Sequence, residues 1–253
     1  MLEQVSNIAA EAGQIALARS GGEFRRWEKV PGHPVCEIDL EVDAFLRERL
    51  SVLDPEAGWL SEETLDASDR IERRRVWVVD PIDGTRDYLR GRPGWCVSVA
   101  LVEDRSPVLG VLDAPARREH WTAERGGGAW RNGLRLAASE RSRLAGARVP
   151  ADTLPKADRD LMAVAKPNSI ALRIAMVAAG EADLVATLRW GFEWDIAAAA
   201  LIAQEAGATV AGVLGQPLAF NTASGEAFGV LVSTAGIHAE AAERLRKRAL
   251  AVV

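Results

Sequence analysis

Apolar positions recur at helical spacing over residues 2–19, where Leu2, Val5, Ile8, Ala12 and Ile15 share one face and Ser20-Gly21-Gly22 stops the run. Val42, Phe45, Leu46 and Leu50 repeat that spacing and predict a second helix following Asp39. Two unbroken apolar runs, Trp59-Leu60 and Val76-Trp77-Val78-Val79, predict short buried strands, and each leads directly into acidic residues. Trp95–Val102, Val108–Leu112 and His120–Ala123 read as a meander with turns at Glu103–Pro107 and Ala114–Arg117. Beyond about residue 140 strands and helices alternate: a strand at Leu161–Ala165, a helix at Ser169–Ala179, a strand at Asp183–Thr187, an alanine-rich helix at Asp195–Ala206, a strand at Val230–Ser233 and a last helix from about His238. The fold class is α/β, with an α+β half over residues 1–140 and an α/β half over residues 141–253. No repeat, low-complexity tract or flexible linker separates the halves, so they are expected to pack as one unit.

With 48% hydrophobic and 26% charged residues, the 253-residue chain has the composition of a soluble globular protein. The net charge of −5 argues against holding nucleic acid or an anionic membrane. No uncharged apolar run approaches the roughly 18 residues of a membrane span, and the N-terminus, with Glu3 and Glu11, lacks the layout of a signal peptide. Cys36 and Cys96 are far apart and form no CxxC, which fits two buried thiols in a reducing cytoplasm. A cytoplasmic location is therefore expected. The negative charge sets one constraint: an enzyme acting on phosphates would need divalent cations to offset the shared sign.

The candidate chemistry lies where apolar strands end. Leu60-Ser61-Glu62-Glu63 puts two carboxylates past one strand, and Val79-Asp80-Pro81-Ile82-Asp83-Gly84-Thr85 puts two more past another. The C-terminal edge of strands is where α/β folds bind ligands. Pro81 is expected to end its strand and Gly84 to allow a tight turn, bringing Asp80 and Asp83 to one side with the Ile82 carbonyl between them. Oxygen ligands of this kind suit Mg²⁺. Taken alone, Asp-Pro-x-Asp-Gly also reads as a polar turn, and Glu62-Glu63 as a solvated pair. The third acidic position, Asp195 in Trp194-Asp195-Ile196-Ala197-Ala198, reads either as an ordinary N-cap or as a carboxylate projecting from a tightly packed helix start. His33, His120 and His238 lie beside no motif and read as surface or packing residues, and no Ser-His-Asp or Cys-His pairing, Walker or GxGxxG spacing stands out. Gly126-Gly127-Gly128 reads as a hairpin turn and Arg73-Arg74-Arg75 as a solvated face.

These motifs together resemble the inositol monophosphatase superfamily. Trp77-x-x-Asp80-Pro81-Ile82-Asp83-Gly84-Thr85 resembles its first signature, and Trp194-Asp195-x-Ala197-Ala198 followed by Glu205-Ala206-Gly207 its second. Glu62-Glu63 resembles its acidic pair, and Val35-x-Glu37-x-Asp39 an upstream element in which Cys36 and Ile38 stand where Thr and Ala are usual. The resemblance runs from about Lys29 to about Asn221. It implies a layered αβαβα sugar-phosphatase fold, a homodimer, and two or three Mg²⁺ ions per site. Glu62, Asp80 and the Ile82 carbonyl would hold one ion, and Asp80, Asp83 and Asp195 a second, with a third near Glu62. Thr85, polarised by Asp39, would orient a water that attacks phosphorus directly, Glu62 contributing to catalysis, while the Gly84 and Thr85 amides bind phosphate oxygens. The substrate is then a small phosphorylated metabolite.

Within the superfamily, Leu60-Ser61-Glu62-Glu63 and Gly84-Thr85-Arg86-Asp87-Tyr88 look more like the 3′(2′),5′-bisphosphate nucleotidases. Inositol monophosphatases carry an acid several residues before the second-signature aspartate, and Thr187–Gly191 has none. Arg86, Arg173, Arg189 and Lys166 are candidates for phosphate contacts, and Trp190 for stacking on a base. Inositol phosphate, histidinol phosphate and fructose bisphosphate remain alternative substrates, as does a catalytically silent relative that has kept the fold.

Overall fold

The computed structural model describes residues 1–30 and 33–252; residues 31, 32 and 253 and the side chains of Val30 and His33, and with them the expectation for His33, lie outside the described residues. The N-terminal part runs α1 (Leu2–Arg19), β1 (Arg26–Val30), β2 (His33–Cys36), α2 (Glu37–Leu53), β3 (Gly58–Ser61), β4 (Arg75–Asp83) and a single turn, α3 (Thr85–Tyr88). It continues through β5 (Cys96–Glu103), β6 (Ser106–Ala114), β7 (Glu119–Glu124), β8 (Gly128–Arg131) and β9 (Leu134–Arg135). There follow β10 (Arg148–Pro150), β11 (Met162–Val164), α4 (Ile170–Ala178), β12 (Leu184–Ala186), β13 (Trp190–Phe192) and α5 (Ala197–Glu205). The chain closes with β14 (Ala208–Gly212), β15 (Glu226–Phe228), β16 (Val230–Thr234) and α6 (His238–Leu250).

A seven-stranded sheet in the order β3-β4-β5-β6-β7-β8-β9 is the centre of the molecule. Its strands alternate between two cores, as period-2 geometry requires. Trp77, Val79, Val97, Val99 and Val111 face one side and pack with Val5, Ile8, Val42 and Leu46 of α1 and α2. Val76, Val78, Ala100, Val102 and Leu112 face the other and pack with α4 and α5. Beyond those helices lies a three-stranded sheet, β12-β16-β14, and α6 covers its outer face through Ala241, Leu245 and Ala249. The layers are therefore helix, sheet, helix, sheet, helix, as expected for the αβαβα fold. The small side chains of α5 have a packing reason. A Cβ on Gly110 of β6 would lie 2.7 Å from the Ala198 carbonyl, so helix and strand touch backbone to backbone.

Three local expectations are corrected. Pro81 does not end β4, because a β-bulge places it where no ladder bond is needed: Asp80 pairs with Ser98 and Asp83 with Cys96, one residue more on β4 than on β5. The second helix starts at Glu37, so Asp39 sits in its first turn and accepts the Cys36 N–H (2.8 Å), an N-terminal bond that cysteine does not advertise. The turn between β5 and β6 is only Asp104-Arg105, both at positive φ (48° and 64°), which is the primed hairpin geometry. The glycine run at 126–128 is a hairpin turn as expected, and Glu205 accepts the Gly126 and Gly128 N–H groups at 2.9 Å each. Arg73, Arg74 and Arg75 all form ion pairs, Arg75 with buried Asp54 at 3.0 Å. A Ser6–His120–Asp113 hydrogen-bond chain (2.7 and 2.8 Å), not foreseen from the sequence, ties α1 to β6 and β7. Among the described residues no helix is long and apolar enough to cross a membrane.

Candidate active site

Because β3 and β4 are parallel neighbours, the acidic residues that follow them emerge on one edge of the sheet. Glu62 begins there, its N–H donated to the Val79 carbonyl at 3.3 Å. The β4 bulge then turns Asp80 and Asp83 inward. Asp80 Oδ1 accepts the Ile82 N–H at 2.9 Å, and Asp83 Oδ2 accepts the Ser169 hydroxyl at 2.5 Å and the Ala171 N–H at 2.8 Å. Asp195 arrives from the opposite side, in the turn before α5. Its Oδ2 lies 3.4 Å from the Phe192 N–H, and the stacked rings of Phe192 and Trp194 (centroids 4.5 Å apart) brace that turn. One carboxylate oxygen from each of Asp80, Asp83 and Asp195 lies within 4.8 Å of the others.

Three carboxylates converging in a buried place repel one another and lack water. Burial pushes Asp80 well above the usual carboxylate range, and the charges of Glu62, Asp83 and Asp195 push it further. Asp195 is raised in the same way, by burial and then by Asp83 and Glu62. Asp83 is pushed up to about 6 by burial, opposed by its bonds from Ser169 and Ala171. A hard cation answers both costs at once, and all-oxygen donors are its preferred ligands. The triad therefore fits a divalent metal.

Around the triad, Thr85 opens α3 after Gly84, which sits at φ +96°; a Cβ there would lie 2.7 Å from the Gly94 carbonyl. The Thr85 hydroxyl is 3.0 Å from the Ile82 carbonyl and 3.5 Å from Asp39 Oδ1. Having one proton, it can donate to only one of them at a time. Asp39 is 1% exposed and holds the Cys36 N–H and S–H on its other oxygen, at 2.8 and 2.9 Å. Burial pushes its pKa up to about 6 against those bonds.

Glu62 stands outside the tight triad and faces a cation. Lys29 Nζ lies 3.5 Å from its carboxylate, 3.1 Å from its carbonyl and 2.5 Å from Glu63. Burial moves Glu63 up to about 7, with Lys29 opposing and Glu62 reinforcing the shift. Of the basic candidates, Arg189 and Trp190 line a small cleft at Asp195. Arg173 is anchored on the Pro167 and Asn168 carbonyls (2.8 and 2.6 Å), and Arg86 is exposed on α3. Lys166 is paired with Asp152 at 2.8 Å. A cavity of about 420 Å³ opens beside the cleft, sharing Ile170 and Thr187 with it and lined by Arg173. Sequence reasoning missed Ser169 and Lys29. Ser169 alone left a local trace, as the polar residue ahead of an apolar helical run.

This is the fold and acidic constellation of a metal-dependent phosphatase, and the comparisons agree. The inositol monophosphatase family model matches residues 1–252, so the chain belongs to that family and is a metal-dependent phosphoric monoester hydrolase. It is 33% identical over 234 residues to an inositol-1-monophosphatase of Mesorhizobium japonicum, covering 83% of this chain and 84% of that protein. It is 30% identical over 236 residues to the 3′(2′),5′-bisphosphate nucleotidase CysQ of Aggregatibacter actinomycetemcomitans, covering 87% of each. Among solved structures it is similar to the Thermotoga maritima IMPase, with a TM-score of 0.86 and 28% identity over 100% of this chain and 99% of that one.

Proposed function

We propose that the chain is a Mg²⁺-dependent phosphomonoesterase acting on a small bisphosphorylated nucleotide such as 3′-phosphoadenosine 5′-phosphate. The convergence of Asp80, Asp83 and Asp195 carries the metal assignment. In this reading those three and the Ile82 carbonyl hold Mg²⁺, two or three ions in all, with Glu62 contributing once released from Lys29. When bound, Mg²⁺ polarises phosphoryl oxygens and makes water more acidic.

The rest of the work falls to the chain's own groups. With the Ile82 carbonyl engaged by a ligand, the Thr85 proton turns to Asp39, leaving the Thr85 oxygen to accept from an attacking water. The proton path is then water to Thr85 Oγ1 to Asp39 Oδ1 as the water oxygen bonds to phosphorus and the ester P–O bond breaks, the departing alkoxide taking a proton from solvent; a pKa near 6 makes Asp39 a stronger base than an ordinary aspartate. The Gly84 and Thr85 amides, at the opening of α3, are assigned to phosphate oxygens.

The choice of a bisphosphate rests on what surrounds Asp195. Arg189 and Arg173 are near enough to repel each other and can face a second phosphate. The adjoining cavity of about 420 Å³ falls within the range of ligand pockets, ~300–1,000 Å³. The acid nearest the second signature, Glu193, is 0% exposed and committed to Asn221 and Thr222, which leaves it nothing for a polyol hydroxyl. Residues 1–140 would supply Asp39, Glu62, Asp80, Asp83 and Thr85, and residues 141–253 Asp195 and the substrate arginines. The free, buried Cys36 and Cys96 suit a cytoplasmic protein, and a homodimer is the assembly the family resemblance suggests.

The test is phosphate release from 3′-phosphoadenosine 5′-phosphate, inositol 1-phosphate, histidinol phosphate and fructose 1,6-bisphosphate in saturating Mg²⁺. The nucleotide should have the highest kcat/KM, and Arg173→Ala and Arg189→Ala should raise its KM. Turnover of inositol 1-phosphate alone would overturn the nucleotide assignment.

A further inference from the structure

Arg70 is the one arginine among the described residues to be almost wholly buried, at 1% exposure. Its guanidinium makes two parallel bonds to Asp66 (2.6 Å each) and a third to Asn221 Oδ1 (2.6 Å). Asn221 returns a bond from its side-chain amide to the Arg70 carbonyl at 3.0 Å. The next link is Glu193, which accepts the Asn221 N–H (2.5 Å) and both the N–H (2.9 Å) and hydroxyl (2.5 Å) of Thr222. The Glu193 carbonyl in turn receives the Ile196 and Ala197 N–H groups at 3.1 and 2.9 Å, so the turn containing Asp195 closes on Glu193. One continuous set of buried bonds thus runs from the loop after β3, which carries Glu62, to the turn that presents Asp195.

A buried guanidinium is costly unless every bond is made, and a hydrophobic residue of similar size could have filled the space. What this arrangement adds is fixed geometry between two segments distant in sequence. Asp195 is the member of the triad that does not come from β4, so its distance to Asp80 and Asp83 depends on how the α5 turn is held. We propose that Arg70, through Asn221 and Glu193, is a positioning residue that sets Asp195 against Asp80 and Asp83 and so tunes affinity for the divalent cation. This inference rests on the metal-site reading above.

The experiment is a calorimetric Mg²⁺ titration of the full chain, run beside thermal melts. Arg70→Lys keeps the charge but loses the fork. Asn221→Gly removes the bridge while accepting the left-handed backbone at φ 55° and keeping the N–H bond to Glu193. Both should bind Mg²⁺ about 10–100-fold more weakly, as loss of outer partners of metal ligands does, and kcat should recover at saturating Mg²⁺. A lower melting temperature with unchanged Mg²⁺ affinity in both variants would overturn the proposal, since that is the result for a brace that only stabilises the fold. Asp195→Asn separates the two readings. If it weakens Mg²⁺ binding while the Arg70 and Asn221 variants do not, positioning alone fails; if it has no effect, the metal site itself is misassigned.

Discussion

Ser169 joins fold stability to the proposed metal site through one hydroxyl. It is fully buried, accepts the Leu172 N–H (2.9 Å) as N-cap of α4, and donates to Asp83 Oδ2 (2.5 Å). Ser169→Ala removes both bonds and adds no bulk. Loss of the cap costs about 1 kcal/mol, and loss of a hydrogen bond to a charged group about 1.5–3 kcal/mol. Together they amount to about 2.5–4 kcal/mol, or roughly 5–16 °C in Tm for a chain of this size. Asp83 keeps the Ala171 N–H but becomes free to rotate about it, so Mg²⁺ affinity should fall about 10–100-fold. Differential scanning calorimetry of the metal-free protein at neutral pH, where Asp83 is ionised, gives the first quantity, and a Mg²⁺ titration gives the second. A Tm within about 1 °C of the parent, or unchanged Mg²⁺ affinity, would refute the coupling.

Thr85→Val keeps the shape and removes the hydroxyl, so kcat should drop about 10²–10⁴-fold while Mg²⁺ binding, measured calorimetrically, stays near the parent value. Gly84→Ala should lower stability by about 2 kcal/mol or more, read by urea denaturation, because it places a Cβ against the Gly94 carbonyl at positive φ. The raised carboxylates also predict a pH dependence. Asp39 and Asp83 near 6 and Glu63 near 7 keep protons that the unfolded chain releases near pH 4. Their contribution to metal-free stability is therefore complete below about pH 4 and lost as pH rises through about 6–7. Asp83→Asn, which cannot ionise, should gain Tm relative to the parent between about pH 4 and 6 in metal-free buffer; a constant difference across that window would contradict the assignment.

The acidic positions were legible because each is tied to its strand or helix by short-range chemistry. Asp80 and Asp83 follow an apolar strand, and Asp195 sits between a tryptophan and a run of alanines. Unbroken apolar runs likewise foretold the buried strands leading into Glu62 and Asp80. What escaped was what long-range packing decides. Arg70 and Asn221 are 151 positions apart, and Ser169 meets Asp83 across 86. Nothing near Lys29 announces that it will face Glu62 and Glu63. Pro81 misled for a physical reason: a proline ends a strand only where the ladder needs its N–H, and the bulge removes that need. Glu193 lies two residues beyond Thr187–Gly191, and its burial against Asn221 and Thr222 could not be read from its neighbours.

The account turns on Asp80, Asp83 and Asp195 acting together as a metal site for phosphate hydrolysis. Its most direct test is phosphate release by chelator-stripped protein from 3′-phosphoadenosine 5′-phosphate and inositol 1-phosphate as Mg²⁺ is titrated back, beside Asp195→Asn. The parent should be silent without Mg²⁺ and reach saturable turnover on at least one ester, whereas Asp195→Asn should stay at background throughout the same titration. Turnover in the stripped parent, or parent-like turnover by Asp195→Asn, would contradict it.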